Sequence, residues 1–405
     1  MYAIRAGTAF DGEQFVPGGA LVVLEGARIA AVQPPDTRPP DGCDVLEAPN
    51  GTILPGLVDT HVHLCADGTN GTLDRMGEPS DDHLLEVIAN SLRRHLAAGV
   101  TTVRDLGDRR FAVLDWRAAT HADGPYPRVI AAGPPITSVG GHCANMGGEA
   151  AGSAQLRDAV RERVERGADI VKVMASGGFT TPGTEVMLCQ FELEEMLTIV
   201  EAAHAAGLPV TAHAHGRPAV LMSMAAGVDG IEHCSFLTDK GPAQTDDDLD
   251  RLARAGTAVC PTLGFRGTPP VPAAGVALLA SLGLTFEQVA MMNKRRVAAM
   301  HAAGVRIVSG SDGGINAAKQ HGLLPLSIAA LVDGGVETGA ALASATSRAA
   351  EACGVGDSTG RLRSGYAADV LVVEGNVLDD IVVLERPTAV FTAGHKVDPA
   401  APGLS

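Results

Sequence analysis

Residues 54–63 read Leu-Pro-Gly-Leu-Val-Asp-Thr-His-Val-His, a short apolar run that leads straight into a His-x-His pair. In an extended strand the side chains alternate faces, so His61 and His63 point one way and Val62 the other. Two imidazoles on one face, one pleat apart, can grip a single metal ion. A metal site needs more donors than two, so the others have to come from elsewhere in the chain.

From residue 56 onward, apolar β-type runs alternate with longer amphipathic stretches rich in Ala, Leu, Glu and Arg. The runs are 57–63, 100–106, 128–132, 169–175, 209–213, 229–234, 257–263 and 305–311. Helix candidates lie between them at 82–98, 153–167, 191–206, 245–255 and 286–303, with a last one at 339–353. Gly99, Gly207 and Gly304 stand where helix C-caps favour glycine. Eight β-then-α units predict an α/β fold, a closed (β/α)8 TIM barrel over residues 56–357. A doubly wound open sheet is the rival, but no Gly-rich phosphate loop follows the first strand. Both chain ends read as strands, with a hairpin formed by 20–24 and 29–32 and further strands at 369–373 and 388–392. Residues 1–55 and 358–405 are therefore expected to pair into one small β-sandwich domain, with a frayed tail after Val397. Long loops at 64–81, 133–152 and 264–280 follow strands one, three and seven. In a barrel such loops cover the catalytic face, which suggests a lidded pocket for a small substrate.

Composition narrows the function classes. Of 405 residues, 46% are hydrophobic, yet no uninterrupted run reaches the length of a membrane span. Met1-Tyr2-Ala3-Ile4-Arg5 reads as a strand rather than a signal peptide. A net charge of −16 argues against nucleic acid and anionic membrane surfaces as partners. Seven cysteines, an odd number with no C-x-x-C, suggest a reducing cytoplasm and no disulfide framework. Of 31 basic residues only five are lysines (172, 240, 294, 319 and 396), so each retained lysine is a candidate for a specific role.

The strand ends supply further donors. Strand four carries Lys172, strand five His213 and His215, strand six His233, and strand eight Asp312. Each has an ordinary alternative. A strand histidine is commonly a hydrogen-bonded core residue, and an Asp after Gly-Ser is commonly a turn or cap. A lysine in an apolar strand would normally be expelled, because burying an unpaired ammonium is costly. Five strands bearing such residues at the same end are hard to reconcile with coincidence, and a shared metal site is the reading that unites them. His83, His95, His204 and His301 fall in helix-like stretches and His121 and His395 in turns, which makes them surface or structural residues.

The order His-x-His, strand-four Lys, strand-five His, strand-six His, strand-eight Asp resembles the amidohydrolase superfamily with a two-metal centre. Gly51-Thr-Ile-Leu-Pro-Gly-Leu-Val-Asp-Thr-His-Val-His63 is similar to its first barrel strand. Gly360-Arg-Leu-Arg-Ser-Gly-Tyr-Ala-Ala-Asp-Val-Leu-Val-Val373 is similar to its return into the β-sandwich. Lys172-Val-Met-Ala-Ser-Gly-Gly178 and the Gly140-Gly-His142 loop resemble the branch of metal-dependent prolidases (Xaa-Pro dipeptidases), arginine carboxypeptidases and imidazolonepropionase-like proteins. The resemblance implies two divalent ions, zinc by type, bridged by a carboxylated Lys172. His61, His63 and Asp312 would hold one ion, and His213 and His233 the other. It implies amide hydrolysis through a metal-bridging hydroxide, with Asp312 shuttling the proton. The implied substrate is a dipeptide-like or N-acyl amino acid, and the implied enzyme is a cytoplasmic homo-oligomer. A carbamate also resolves the lysine problem, since it puts an anion where a buried cation would face two dications. Peptidases of this branch carry Tyr where this chain has His215, so His215, His142 and Arg217 stand as candidate substrate contacts, with His215 also a catalytic candidate. Alternatives on the same metals are a lactonase, an organophosphate or carbamate hydrolase, and an imidazolonepropionase-like ring opener. A non-catalytic relative is expected to have lost ligands, whereas every ligand position here is filled.

Overall fold

A computed structural model describes residues 1–119, 125–271 and 273–400; His121 and the last five residues of the tail lie outside these. The eight apolar runs are eight parallel strands: β1 (Leu57–Val62), β2 (Val100–Asp105), β3 (Arg128–Ala131), β4 (Val171–Met174), β5 (Val210–Gly216), β6 (Gly230–Thr238), β7 (Ala258–Cys260) and β8 (Arg306–Ile307). Every residue of β1, β2 and β4 is buried, as expected of parallel strands covered on both faces. They form two ladders, β1-β2-β3 and β4-β5-β6-β7-β8. Backbone bonds cross both gaps between the ladders. Beyond β3, Ile136 N donates to Lys172 O at 2.8 Å, and Met174 N to Ile136 O at 2.8 Å. Around the end of β8, Thr60 N donates to Ser309 O at 3.1 Å, Asp312 N to His61 O at 2.8 Å, and His63 N to Gly313 O at 3.0 Å.

The two chain ends share one sheet. Asp44–Pro55 runs parallel to Tyr2–Phe10 and antiparallel to Val370–Val373, with Leu54 opposite Leu371. Ala20–Glu25 and Arg28–Gln33 form the expected hairpin, and His395 opens an edge strand rather than sitting in a turn. Ile4, Val22, Ile53, Val370, Val372 and Phe391 pack together on one face. Leu54, Leu371 and Val390 join the cluster that also holds Leu57, Val62 and Val100.

The helices follow the sequence pattern where the pattern is strong. Asp81–Ala97 begins at Ser80, whose side chain accepts from His83 N, and buries the stripe Leu84, Ile88, Leu92 and Leu96. Gly99, Gly207 and Gly304 close their helices with φ of 82°, 76° and 80°. Two expectations are corrected. The stretch 339–353 is two helices, Thr338–Ala343 and Ser347–Ala352. The hydroxyls between them compete with the backbone ladder: Ser344 Oγ bonds Ala341 O, and Thr346 Oγ1 bonds Leu342 O. The stretch 264–280 is not loop throughout, because its Ala/Leu-rich second half forms the helix Ala273–Leu282. Among the described residues no single helix is long and apolar enough to cross a membrane.

The loop after β8 is tied to the first helix by two buried histidines. His95 Nε2 lies 3.0 Å from His321 Nδ1, and His321 Nε2 donates to Ala66 O at 2.8 Å. Burial holds His321 at about 4, and burial and the neighbouring His321 hold His95 well below the usual imidazole range. The unfolded chain therefore takes up protons below about pH 6.5 that the folded one refuses, and this stability is lost as pH falls from 6.5 toward 4. His321→Gln should lower the melting temperature at pH 7.5, and the gap to wild type should narrow as pH falls to 4. Thermal melts across that range measure it; a gap that widens on acidification is the contrary result.

Candidate metal centre

The strand ends gather the histidines on one cavity. His61 and His63 leave β1 on the same side, and the Nε2 atom of each lies 3.4 Å from Asp312 Oδ1. Both rings are aimed from behind. His61 Nδ1 is 2.8 Å from Glu232 Oε2, and His63 Nδ1 is 3.1 Å from Gly107 O. A ring whose Nδ1–H is held this way presents Nε2 as a lone pair, as a metal-binding imidazole requires. Burial, then the neighbouring Lys172, hold His61 at about 4, so it is neutral at pH 7. Asp312 stays ionised: burial alone would push its carboxyl up, but the neighbouring His61, His63 and Lys319 outweigh it.

The second group is His213, His215 and His233, whose candidate ligand atoms lie within 4.8 Å of one another. His233 Nδ1 is anchored on Thr262 Oγ1 at 2.8 Å, and His213 Nε2 approaches Gly177 O at 3.2 Å. His215 stacks on His233 with centroids 4.5 Å apart and meets Phe179 edge-on at 5.0 Å, on the more open side of the group. Its Nδ1 is 3.0 Å from Ser235 Oγ. Lys172 is 1% exposed, lines the same cavity, and is pushed down by burial, with Glu232 and Asp312 acting on it only at a distance. His142 also reaches the cavity, 4.7 Å from the His213 ring between centroids, with Nδ1 on Thr181 Oγ1 at 2.8 Å. Arg217 is the sequence candidate that the structure does not bring in. Its guanidinium holds Asp248 at 2.9 and 3.1 Å, and it does not line the cavity.

Sequence reasoning missed Glu232. This carboxylate is 1% exposed and accepts from Arg104 at 3.2 Å and Thr211 at 2.6 Å besides its contact with His61. Burial pushes it up, yet His61 and Arg104 hold it well below the usual carboxylate range. The signal was present: Glu232 and Arg104 each interrupt an apolar run, and buried opposite charges imply a pair.

Imidazoles anchored through their back nitrogens, an ionised carboxylate, and a buried amine of lowered basicity fit divalent ions of the zinc type. The cavity of about 350 Å3 extends outward from these groups between apolar side chains of the 263–290 segment, such as Phe265, Leu278, Leu282 and Phe286. Glu232→Gln keeps the shape of the side chain and removes the charge that orients His61. It should weaken metal binding about 10- to 100-fold, read by chelator competition. Unchanged affinity would show that Glu232 serves packing alone.

Known proteins resemble this chain in sequence and fold. The sequence profile described as "Amidohydrolase family" matches residues 52–397. Ochratoxinase of Aspergillus niger is 28% identical over 372 residues, covering 84% of this chain and 73% of that one. Among solved structures, a Xaa-Pro dipeptidase with bound methionine in its active site superposes with a TM-score of 0.82 at 27% identity, covering 98% of this chain and 99% of its own. A prolidase complexed with N-methylphosphonate-L-proline gives 0.81 at 26% identity, covering 98% and 99%. The chain belongs to the amidohydrolase family and is a hydrolase.

Proposed function

We propose that the protein is a two-metal amidohydrolase acting on a small substrate, either dipeptide-like (Xaa-Pro type) or an N-acyl amino acid. The observation that carries this reading is the convergence of two histidine groups, Asp312 and Lys172 on one cavity. The eight parallel strands are read as one closed barrel, which the backbone bonds across both ladder gaps support. Residues 1–55 with 358–405 form the small β-domain on this reading, and 56–357 the catalytic one. His61, His63 and Asp312 would hold one ion, His213 and His233 the other, with a carboxylated Lys172 shared between them. When bound, such ions supply Lewis acidity and lower the pKa of water.

The side chains define the remaining work. Asp312, ionised at neutral pH, accepts the proton of the attacking water and returns it to the leaving nitrogen. Burial holds His215 and His142 at about 3, so both are neutral. In the tautomer in which Ser235 Oγ–H donates to Nδ1, His215 carries its proton on Nε2 and can donate it to the carbonyl oxygen as negative charge develops. Among the described lining residues Asp312 is the one carboxylate, so the cavity offers a free substrate ammonium no separate partner. That favours N-blocked substrates over free dipeptides. The relatives named ochratoxinase and Xaa-Pro dipeptidase support the amide-cleaving reading. Hydrolysis of a panel of Xaa-Pro dipeptides, N-acyl amino acids and lactones tests it, and turnover of lactones alone would reject it.

Lys172 gives the sharpest test. An amine pushed down by burial remains nucleophilic enough to take up carbon dioxide. Lys172→Ala should lose most metal and activity, and added propionate should restore part of both. Lys172→Arg should stay inactive, because a guanidinium keeps its charge. Metal analysis should return close to two ions per wild-type chain. Wild-type activity in Lys172→Arg contradicts the bridging role.

His215→Phe should cut turnover while leaving metal content near two per chain. Loss of metal on that change would move the ligand role from His213 to His215.

A further inference from the structure

Lys319 is one of five lysines in the chain and lies on the loop after β8. The loop is rigid by construction: Asn316 Oδ1 accepts from Ala318 N and Lys319 N, and Gly314 N donates to Lys319 O at 2.7 Å. Its Nζ donates to Thr262 O at 2.7 Å and Ser311 O at 2.9 Å. An ammonium has three donors, so one remains after these two. Lys319 lines the cavity, beside Asp312.

The other cations on the cavity are committed. Lys294 is paired with Asp333. Arg296 is buried and bonds the carbonyls of His233 and Cys234. Lys172 is the bridging group of the proposed centre. Outward from these groups the wall is mainly apolar. An anion entering such a wall needs a fixed cation, because desolvating it without one is costly.

Resting on the amide-hydrolase reading, we infer that Lys319 is a specificity-determining residue that binds a carboxylate of the substrate, so that the preferred substrate is a monoanion with a bulky apolar acyl group. Lys319 Nζ is held by two backbone carbonyls, and its third N–H is left for the ligand. The fixed loop means that little side-chain freedom is lost on binding.

The test uses a pair of ligands that lack the scissile N-acyl amide bond. They are 4-oxo-5-phenylpentanoate, in which a methylene replaces the amide N–H of N-phenylacetylglycine, and its neutral carboxamide. Calorimetry on the metal-loaded protein should show the acid binding about tenfold tighter than the amide, or more, as a charge-assisted hydrogen bond provides. Lys319→Met should abolish that preference by weakening the acid alone, with metal content unchanged. Three results would overturn the inference: a preference that survives in Lys319→Met, which places the carboxylate on the metals; equal weakening of both ligands or loss of metal, which makes Lys319 a structural staple; or a wild type that binds the acid no better than the amide. Turnover of N-phenylacetylglycine is measured separately. A Lys319-dependent preference without turnover of any amide in the panel leaves this inference standing and rejects the amide-hydrolase reading.

Discussion

The site depends on a single buried carboxylate. Glu232 sits on β6, and its three partners come from three other strands: His61 from β1, Arg104 from β2 and Thr211 from β5. Taking a carboxylate out of water costs several kcal/mol, and the cost is recovered only where every lone pair is satisfied. Arg104 has the reciprocal problem and solves it with Glu232 Oε1 and the carbonyls of Thr60 and Ala352. The network therefore fixes the mutual positions of four strands from inside. It also fixes His61, whose Nε2 can face Asp312 only because Nδ1 faces Glu232.

Above this network the backbone departs from regular geometry. His233, Cys234 and Phe236 of β6, Thr262 beyond β7 and Asp312 beyond β8 all have positive φ, between 47° and 64°. None is glycine, so each conformation carries a cost of order 1–3 kcal/mol and persists only where the surroundings impose it. Arg296 helps to impose it by gripping the carbonyls of His233 and Cys234. Strain gathers at strand ends that carry candidate ligands or their anchors, because a regular strand would point successive side chains to opposite faces.

Much of this was legible in the sequence, and the residues show why. The eight strands were readable because parallel strands buried on both faces are unbroken apolar text, and each run coincides with a strand. The histidines, Lys172 and Asp312 stood out because polar residues at the ends of such runs need a reason. Glu232 and Arg104 gave the same kind of signal, but as a pair it emerges only once β2 and β6 are brought together, which no local pattern reports. Arg217 misled for a related reason: its partner, Asp248, lies 31 residues along the chain. The helix Ala273–Leu282 was hidden behind the prolines that precede it. The break at 344–346 was hidden because side-chain hydroxyls, not glycine or proline, end the first helix.

The charge balance of the interior bears on the state of Lys172. As an ammonium it opposes protonation of His61, His142, His213, His215 and His233, since its charge is among the influences that push each of them down. The same field would oppose a divalent cation at those rings, and more strongly, because the repulsion scales with charge. Burial works against the ammonium independently. Conversion to a carbamate exchanges one positive charge for one negative at a fixed point, a change of two units beside Asp312 and Glu232. The histidines, kept neutral chiefly by burial, would then be neutral ligands facing an anion. On the proposed reading, the feature that makes Lys172 anomalous in an apolar strand is the one that allows the cavity to hold two dications.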